Sequence, residues 1–194
     1  MPAVDPEESR LARESRAGST EAFERLIDLH HDRLFAFMMS LTRHRHDAED
    51  LTQQTFIRAW QKIHRFHPER PFLPWLFTIG RRLSLRMLRK NRPLPMAETL
   101  VVDPSTPSLD LWQLAEKKLS RDAFSAIWMH YHDGFSLAEI GRVLGKREGT
   151  VKVLLHRART TLAEGMSELR PAVPPPLPSS PPPLPSLWKP ETTP

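Results

Sequence analysis

The chain has no cysteine, a single tyrosine and only seven glycines among its 194 residues. Without thiols there can be no disulfide framework, no thiolate metal site and no cysteine nucleophile, which suits a reducing compartment. Long apolar runs are missing too: the longest, Leu34 to Met39, falls far short of the roughly 18 residues a membrane helix needs. The start, MPAVDPEESRLARE, has neither the basic nor the apolar stretch of a signal peptide, so a cytoplasmic protein without membrane insertion is expected. Also lacking are a nucleophile beside a base, a glycine-rich phosphate loop and a working pair of carboxylates. Hence no catalytic residue, cofactor or small-molecule substrate is expected. The pairs His30/His31 and His44/His46 lack further ligands, and Asp47, Glu49 and Asp50 suit the first turn of a helix better than a magnesium site; no metal is expected.

Proline is abundant, but eleven of the twenty lie in residues 171–194, a segment carrying only Lys189 and Glu191. That segment repeats the unit PPPLP at Pro174–Pro178 and Pro181–Pro185 and ends in Leu187-Trp188 and a few polar residues. Such composition favours an extended polyproline II rod or a disordered tail. The net charge of +5 therefore belongs to the rest. Residues 21–92 hold 14 basic and 8 acidic side chains; residues 119–170 hold eight and six; the proline-punctuated stretch between them is acidic. The layout is an N-terminal extension over 1–19, a helical block over 20–92, a linker over 93–107, a second block over 108–170 and the tail over 171–194.

Helical periodicity runs through both blocks, with no alternating strand pattern. From Thr20, read as an N-cap, Phe23, Leu26, Leu34, Phe37 and Leu41 keep one helical face, at steps of three or four with a double step from Leu26 to Leu34. A second helix opens at Asp47 and buries Ala48, Leu51, Thr55, Ala59 and Ile63. After the break Phe66-His67-Pro68-Glu69-Arg70-Pro71, a third helix is expected from about Pro74 to Lys90. Leu76, Ile79, Leu83 and Met87 form its apolar side, and Arg82, Arg86, Arg89 and Lys90 its free side, with Arg81 and Arg92 at the margin. Six cations without an acid between residues 81 and 92 repel one another unless an anion relieves them. The aromatics Phe66, Phe72, Trp75 and Phe77 just ahead offer faces for unstacked bases, which favours a nucleic-acid strand.

The second block carries a sharper motif. A helix ends at Gly134, and Ser136 caps the next with Glu139 at capping-box spacing. Gly145 ends that helix and Glu148-Gly149-Thr150 opens another. Val151, Leu155, Ala158 and Leu162 of this last helix point inward; Lys152, Val153, His156, Arg157 and Thr160 point outward. Two helices joined by a glycine turn, the second basic on its free face, are the pattern of a helix-turn-helix that enters the DNA major groove.

Taken together, Ala22-Phe23-Glu24-Arg25-Leu26, Asp47-Ala48-Glu49-Asp50-Leu51-Thr52-Gln53-Gln54, Arg70-Pro71-Phe72-Leu73-Pro74-Trp75-Leu76, Ser136-Leu137-Ala138-Glu139-Ile140-Gly141 and Gly149-Thr150-Val151-Lys152 resemble regions 2 and 4 of bacterial RNA polymerase sigma factors of the extracytoplasmic-function (ECF) group. The resemblance implies an all-α fold of two small helical domains, a region 2 bundle and a region 4 helix-turn-helix, joined by a linker and followed by a disordered proline-rich tail. It implies a non-enzymatic factor that directs core polymerase to promoters and assists melting. Its partners would be the beta-prime clamp helices and beta flap of core polymerase, promoter DNA, and an anti-sigma factor. Asp47, Asp50, Gln53, Gln54 and Ile57 would meet polymerase. Phe66, His67, Arg70, Phe72, Trp75, Arg81, Arg82, Arg86, Arg89 and Lys90 would hold the minus-10 strand. Arg147, Glu148, Thr150, Lys152, Val153, His156 and Arg157 would face the minus-35 duplex.

The sequence departs from the family pattern at Arg82 and Arg86, where Asn and Asp are usual, and at Val153 and Leu154, where Ser and Arg are common. The first change strengthens strand binding at the expense of a polar reader; the second offers an apolar contact to a thymine methyl. The proline-rich tail has no counterpart in the minimal architecture. Two other readings remain: a stand-alone helix-turn-helix regulator, which leaves the first block without a purpose, and a metal-dependent nuclease.

Overall fold

A computed structural model describes residues 5–90 and 107–169, and their backbone is helical with short connections. The first block comprises α1 (Pro6–Arg16), α2 (Thr20–Thr42), α3 (Arg45–Lys62) and α4 (Phe72–Lys90), with a 3-10 turn over Ile63–Arg65. The second comprises α5 (Pro107–Lys118), α6 (Arg121–Ile127), a π-helical turn over Trp128–His132, α7 (Leu137–Leu144) and α8 (Glu148–Leu169). The tail and nearly all of the expected linker lie outside the described residues.

The α2 stripe is buried as its spacing dictates, with Leu26, Leu34 and Phe37 fully enclosed. Phe37 stacks on Phe77 of α4 with ring centroids 4.3 Å apart, which fixes α4 across α2. Gly80 permits the close approach of α4 to the bundle, because a Cβ there would stand 2.8 Å from Met38 Cε and 3.0 Å from Thr55 Oγ1. In the second block Val151, Leu155, Ala158 and Leu162 are all buried, the inward face expected of the last helix.

Three element boundaries differ from the sequence reading. Ser19, and not Thr20, caps α2, its hydroxyl accepting the Ala22 N–H at 3.1 Å. The second helix starts two residues earlier than Asp47, because the His44 imidazole accepts the Asp47 N–H. The third starts at Phe72, since Pro74 sits within the first turn, where no amide partner is required. The Phe72 N–H that opens this turn donates to Glu8 Oε1 at 2.7 Å. That contact also changes the reading of residues 1–19. Within that extension α1 is a packed element, with Leu11 and Ala12 buried and Ser9 Oγ donating to the Pro68 carbonyl at 2.9 Å.

Candidate nucleic-acid interface

Three surfaces carry the residues singled out in the sequence. On α3, Asp50, Gln53, Gln54 and Ile57 are exposed and Asp47 is half-buried. Ile57 is 50% exposed, an apolar group in water amid polar neighbours. Gln53 and Ile57 border a groove of about 740 Å³ between α2 and α3, with Phe23, Ile27, Phe35, Phe56 and Trp60 in its wall.

The second surface runs from the α3–α4 turn along α4. Arg82, Arg86 and Arg89 project outward and are exposed, as are His67 and Arg70 in the turn. Lys90 belongs to α4, and its side chain lies outside the described residues. The aromatic members behave otherwise. Phe66 is 3% and Phe72 0% exposed, each packed on Trp75 with ring centroids 5.0 and 5.4 Å away. Stacking a base on either ring would require its extraction from the core, at a cost of a few kcal/mol for a ring of this size. In this structure both rings form the core of the turn, and a base would meet them only after they moved. Half-buried Trp75 is the ring that retains access to solvent.

The third surface is the free face of α8 and the turn before it. Arg147, Glu148, Thr150, Lys152, Val153, His156 and Arg157 are all exposed. The turn that sets their direction is built locally. Ser136 and Glu139 form a complete capping box at the start of α7, and Gly145 ends that helix at φ +66°. Gly141 lets the turn close on α7, since a Cβ there would stand 2.7 Å from the Lys146 carbonyl oxygen. The α8 start then follows at a fixed angle.

The two blocks also touch each other, which the sequence did not reveal. Phe77 of α4 meets Phe135 with ring centroids 5.1 Å apart. Arg33 of α2 donates through Nη2 to the Asp133 carbonyl oxygen at 2.7 Å and through Nε to its carboxylate at 3.4 Å. Burial raises the Asp133 carboxyl above the usual range, overcoming the charges of His132 and Arg33, and Oδ2 has no hydrogen-bond partner. Arg43 ends α2 in the left-handed region at φ 59° and pairs with Glu116 of α5.

Asp122 bears on both the second and the third surface. It pairs with Arg81 of α4, and its Oδ2 lies 2.9 Å from Lys146 Nζ in the helix-turn-helix turn. Burial alone would raise this carboxyl, but the Lys146 hydrogen bond and the charges of Arg81 and Lys146 together hold it below the usual carboxylate range. Arg81 is thereby 12% exposed and turned into the contact between blocks, unlike Arg82, Arg86 and Arg89. Read along the chain, Asp122 is a first-turn acid after the Ser120 cap, and nothing local marks it as a partner of residue 81.

Comparison with known proteins covers both blocks. The chain matches the family models for Sigma-70 region 2 over residues 26–93 and Sigma-70, region 4 over residues 111–162. It is 30% identical over 175 residues to the ECF RNA polymerase sigma factor SigW of Bacillus subtilis (strain 168), covering 79% of this chain and 94% of that protein. Among solved structures it is similar to CnrH in complex with the cytosolic domain of CnrY. That match has a TM-score of 0.68 and 26% identity, covering 84% of this chain and 98% of that one. It is also similar to the sigma factor RpoE in complex with the anti-sigma factor NepR from Bartonella quintana. Here the TM-score is 0.66 and the identity 29%, with coverage of 78% and 100%.

Proposed function

The chain belongs to the ECF group of RNA polymerase sigma-70 factors, and from that premise we propose how its surfaces divide the work of promoter selection. Core polymerase docks on the α3 face through Asp47, Asp50, Gln53, Gln54 and Ile57, which meet the beta-prime clamp helices, while the second block meets the beta flap. The observation that carries this reading is the exposed Ile57 set among Asp50, Gln53 and Gln54. A mixed apolar and polar patch of this kind suits an interface that forms and dissolves.

Promoter DNA is engaged at two places. The α8 face reads the minus-35 element as duplex, with Lys152, His156 and Arg157 reaching phosphates or base edges and Val153 packing on a thymine methyl. The minus-10 strand runs along His67, Arg70, Arg82, Arg86, Arg89 and Lys90, with Trp75 as the aromatic contact and Arg81 joining once Asp122 releases it. Guanidinium groups beside an aromatic face stabilise a separated strand without hydrolysis of a nucleotide. The protein acts in the cytoplasm and contributes no bond-making chemistry of its own; polymerase does. The neighbour bound to NepR supports an anti-sigma factor as a further partner.

Paired substitution Asp50→Ala with Gln53→Ala tests the docking assignment. Both side chains are exposed, so the fold should persist by circular dichroism while affinity for core polymerase falls. Unchanged holoenzyme formation would remove α3 as the docking face.

A further inference from the structure

The α2–α3 groove has the chemistry of a polyproline site. Half-buried Phe35 and Trp60 face one concavity, with Phe23 and Phe56 nearly buried behind them, and its volume of about 740 Å³ is that of a ligand cleft. Aromatic-lined grooves bind proline-rich segments because the polyproline II rod is already extended and loses little entropy on docking. The same chain carries two PPPLP units, at 174–178 and 181–185, followed by Leu187-Trp188. The segment is nearly neutral, with Lys189 and Glu191 its only charges between 171 and 194, so the basic α4 and α8 faces offer it little. The groove offers it aromatic surface.

Reach permits the contact. The tail leaves α8 after Leu169. At about 3.1 Å per residue in polyproline II, the second PPPLP unit begins up to roughly 37 Å beyond that point, and Trp188 lies up to about 60 Å away. A compact body of this size is about 40 Å across and about 60 Å around half its circumference, so the chain up to Trp188 is long enough to follow the surface to most faces.

We infer that residues 171–194 fold back in cis and lay the second PPPLP unit and Leu187-Trp188 in the α2–α3 groove, where they compete with polymerase for the edge formed by Gln53 and Ile57. The competition rests on the docking face proposed above; the fold-back itself does not. Tethering gives the tail an effective concentration in the millimolar range, so even a weak rod-in-groove contact occupies the site for much of the time. Affinity for core polymerase is then lowered by roughly threefold to tenfold relative to a chain whose tail cannot dock.

The test uses the full chain with isotopically labelled isoleucine methyl groups, alongside a variant carrying Leu184→Asp, Leu187→Asp and Trp188→Asp. The Ile27 and Ile57 resonances should differ between the two proteins, while Ile140, buried in the second block, should coincide. The variant should also bind core polymerase threefold to tenfold more tightly. Coincident Ile27 and Ile57 resonances would overturn the fold-back, and shifts that grow with protein concentration would replace it by docking between two copies. Shifted resonances with unchanged polymerase affinity would overturn the competition. Asp50→Ala with Gln53→Ala separates the two readings, because it reports on polymerase docking whether or not the tail binds.

Discussion

Substituting Asp122 by Asn should strengthen binding of a single-stranded oligonucleotide, because it releases a cation that the contact between blocks now holds. The carboxylate pairs with Arg81 and Lys146 at once. Arg81 is nearly buried, but Asp122 is 34% exposed, so solvent screens the arrangement in part. Exposed pairs are worth up to about 1 kcal/mol, and breaking a buried pair costs about 3–5 kcal/mol. A partly screened carboxylate with two cations falls between, at about 1–2 kcal/mol. At about 1.4 kcal/mol per factor of ten, the closed contact loses roughly fivefold to thirtyfold in population. If Arg81 must be free to bind a strand, the apparent dissociation constant falls by up to that factor. Fluorescence anisotropy on the full chain, at two salt concentrations, measures it. Extra binding through Arg81 should steepen the salt dependence by about 0.7 in log–log slope per phosphate gained. Glu24→Gln, which removes one exposed negative charge from α2, controls for net charge alone. Equal effects of the two substitutions, or an Asp122→Asn affinity within twofold of the parent, would refute a competition between closure and DNA for Arg81.

Two glycines of the helix-turn-helix should respond with opposite signs. Gly141→Ala places a methyl against the Lys146 carbonyl and should lower stability by about 1–3 kcal/mol in urea denaturation and weaken minus-35 duplex binding. Gly149→Ala meets no atom within 4 Å at the start of α8 and should raise stability by about 0.5–1 kcal/mol. The pH dependence of stability should reveal Asp133. Its folded carboxyl titrates above the unfolded value, so the native state binds the proton more tightly; that stability is complete below the unfolded value and is lost as pH rises through the folded one. Asp133→Asn should flatten this slope in melts from pH 3 to 8, whereas a parallel curve would show that the buried carboxyl is not its source.

Legibility in the sequence followed the range of the interaction. The α7–α8 turn was readable because its determinants are neighbours: Ser136 and Glu139 three apart, Gly145 at the helix end, and Val151, Leu155, Ala158 and Leu162 on one helical face. The basic face of α4 was readable for the same reason. The beginning of α4 was less so, since one of its amide partners, Glu8, arrives from α1 across most of the first block. The burial of Phe66 and Phe72 was not legible because an aromatic beside a run of arginines has one composition whether it faces a base or Trp75. Only packing separates the two cases, and α1 completes that packing through Ser9 on the Pro68 carbonyl.

Asp122 shows why a charge count cannot stand in for a binding surface. The first block's excess of cations reads as a single face, yet Arg81 points to the second block and Arg82, Arg86 and Arg89 do not. One carboxylate holds a cation from α4 and another from the turn ahead of α8. A phosphate offers the same anionic oxygens as that carboxylate, so a strand bound along α4 would compete with it for Arg81. On the reading proposed above, a strand phosphate that takes Arg81 removes one of several contacts between the blocks, whereas Lys146 and Asp122 belong to the same block and their pair does not join the two.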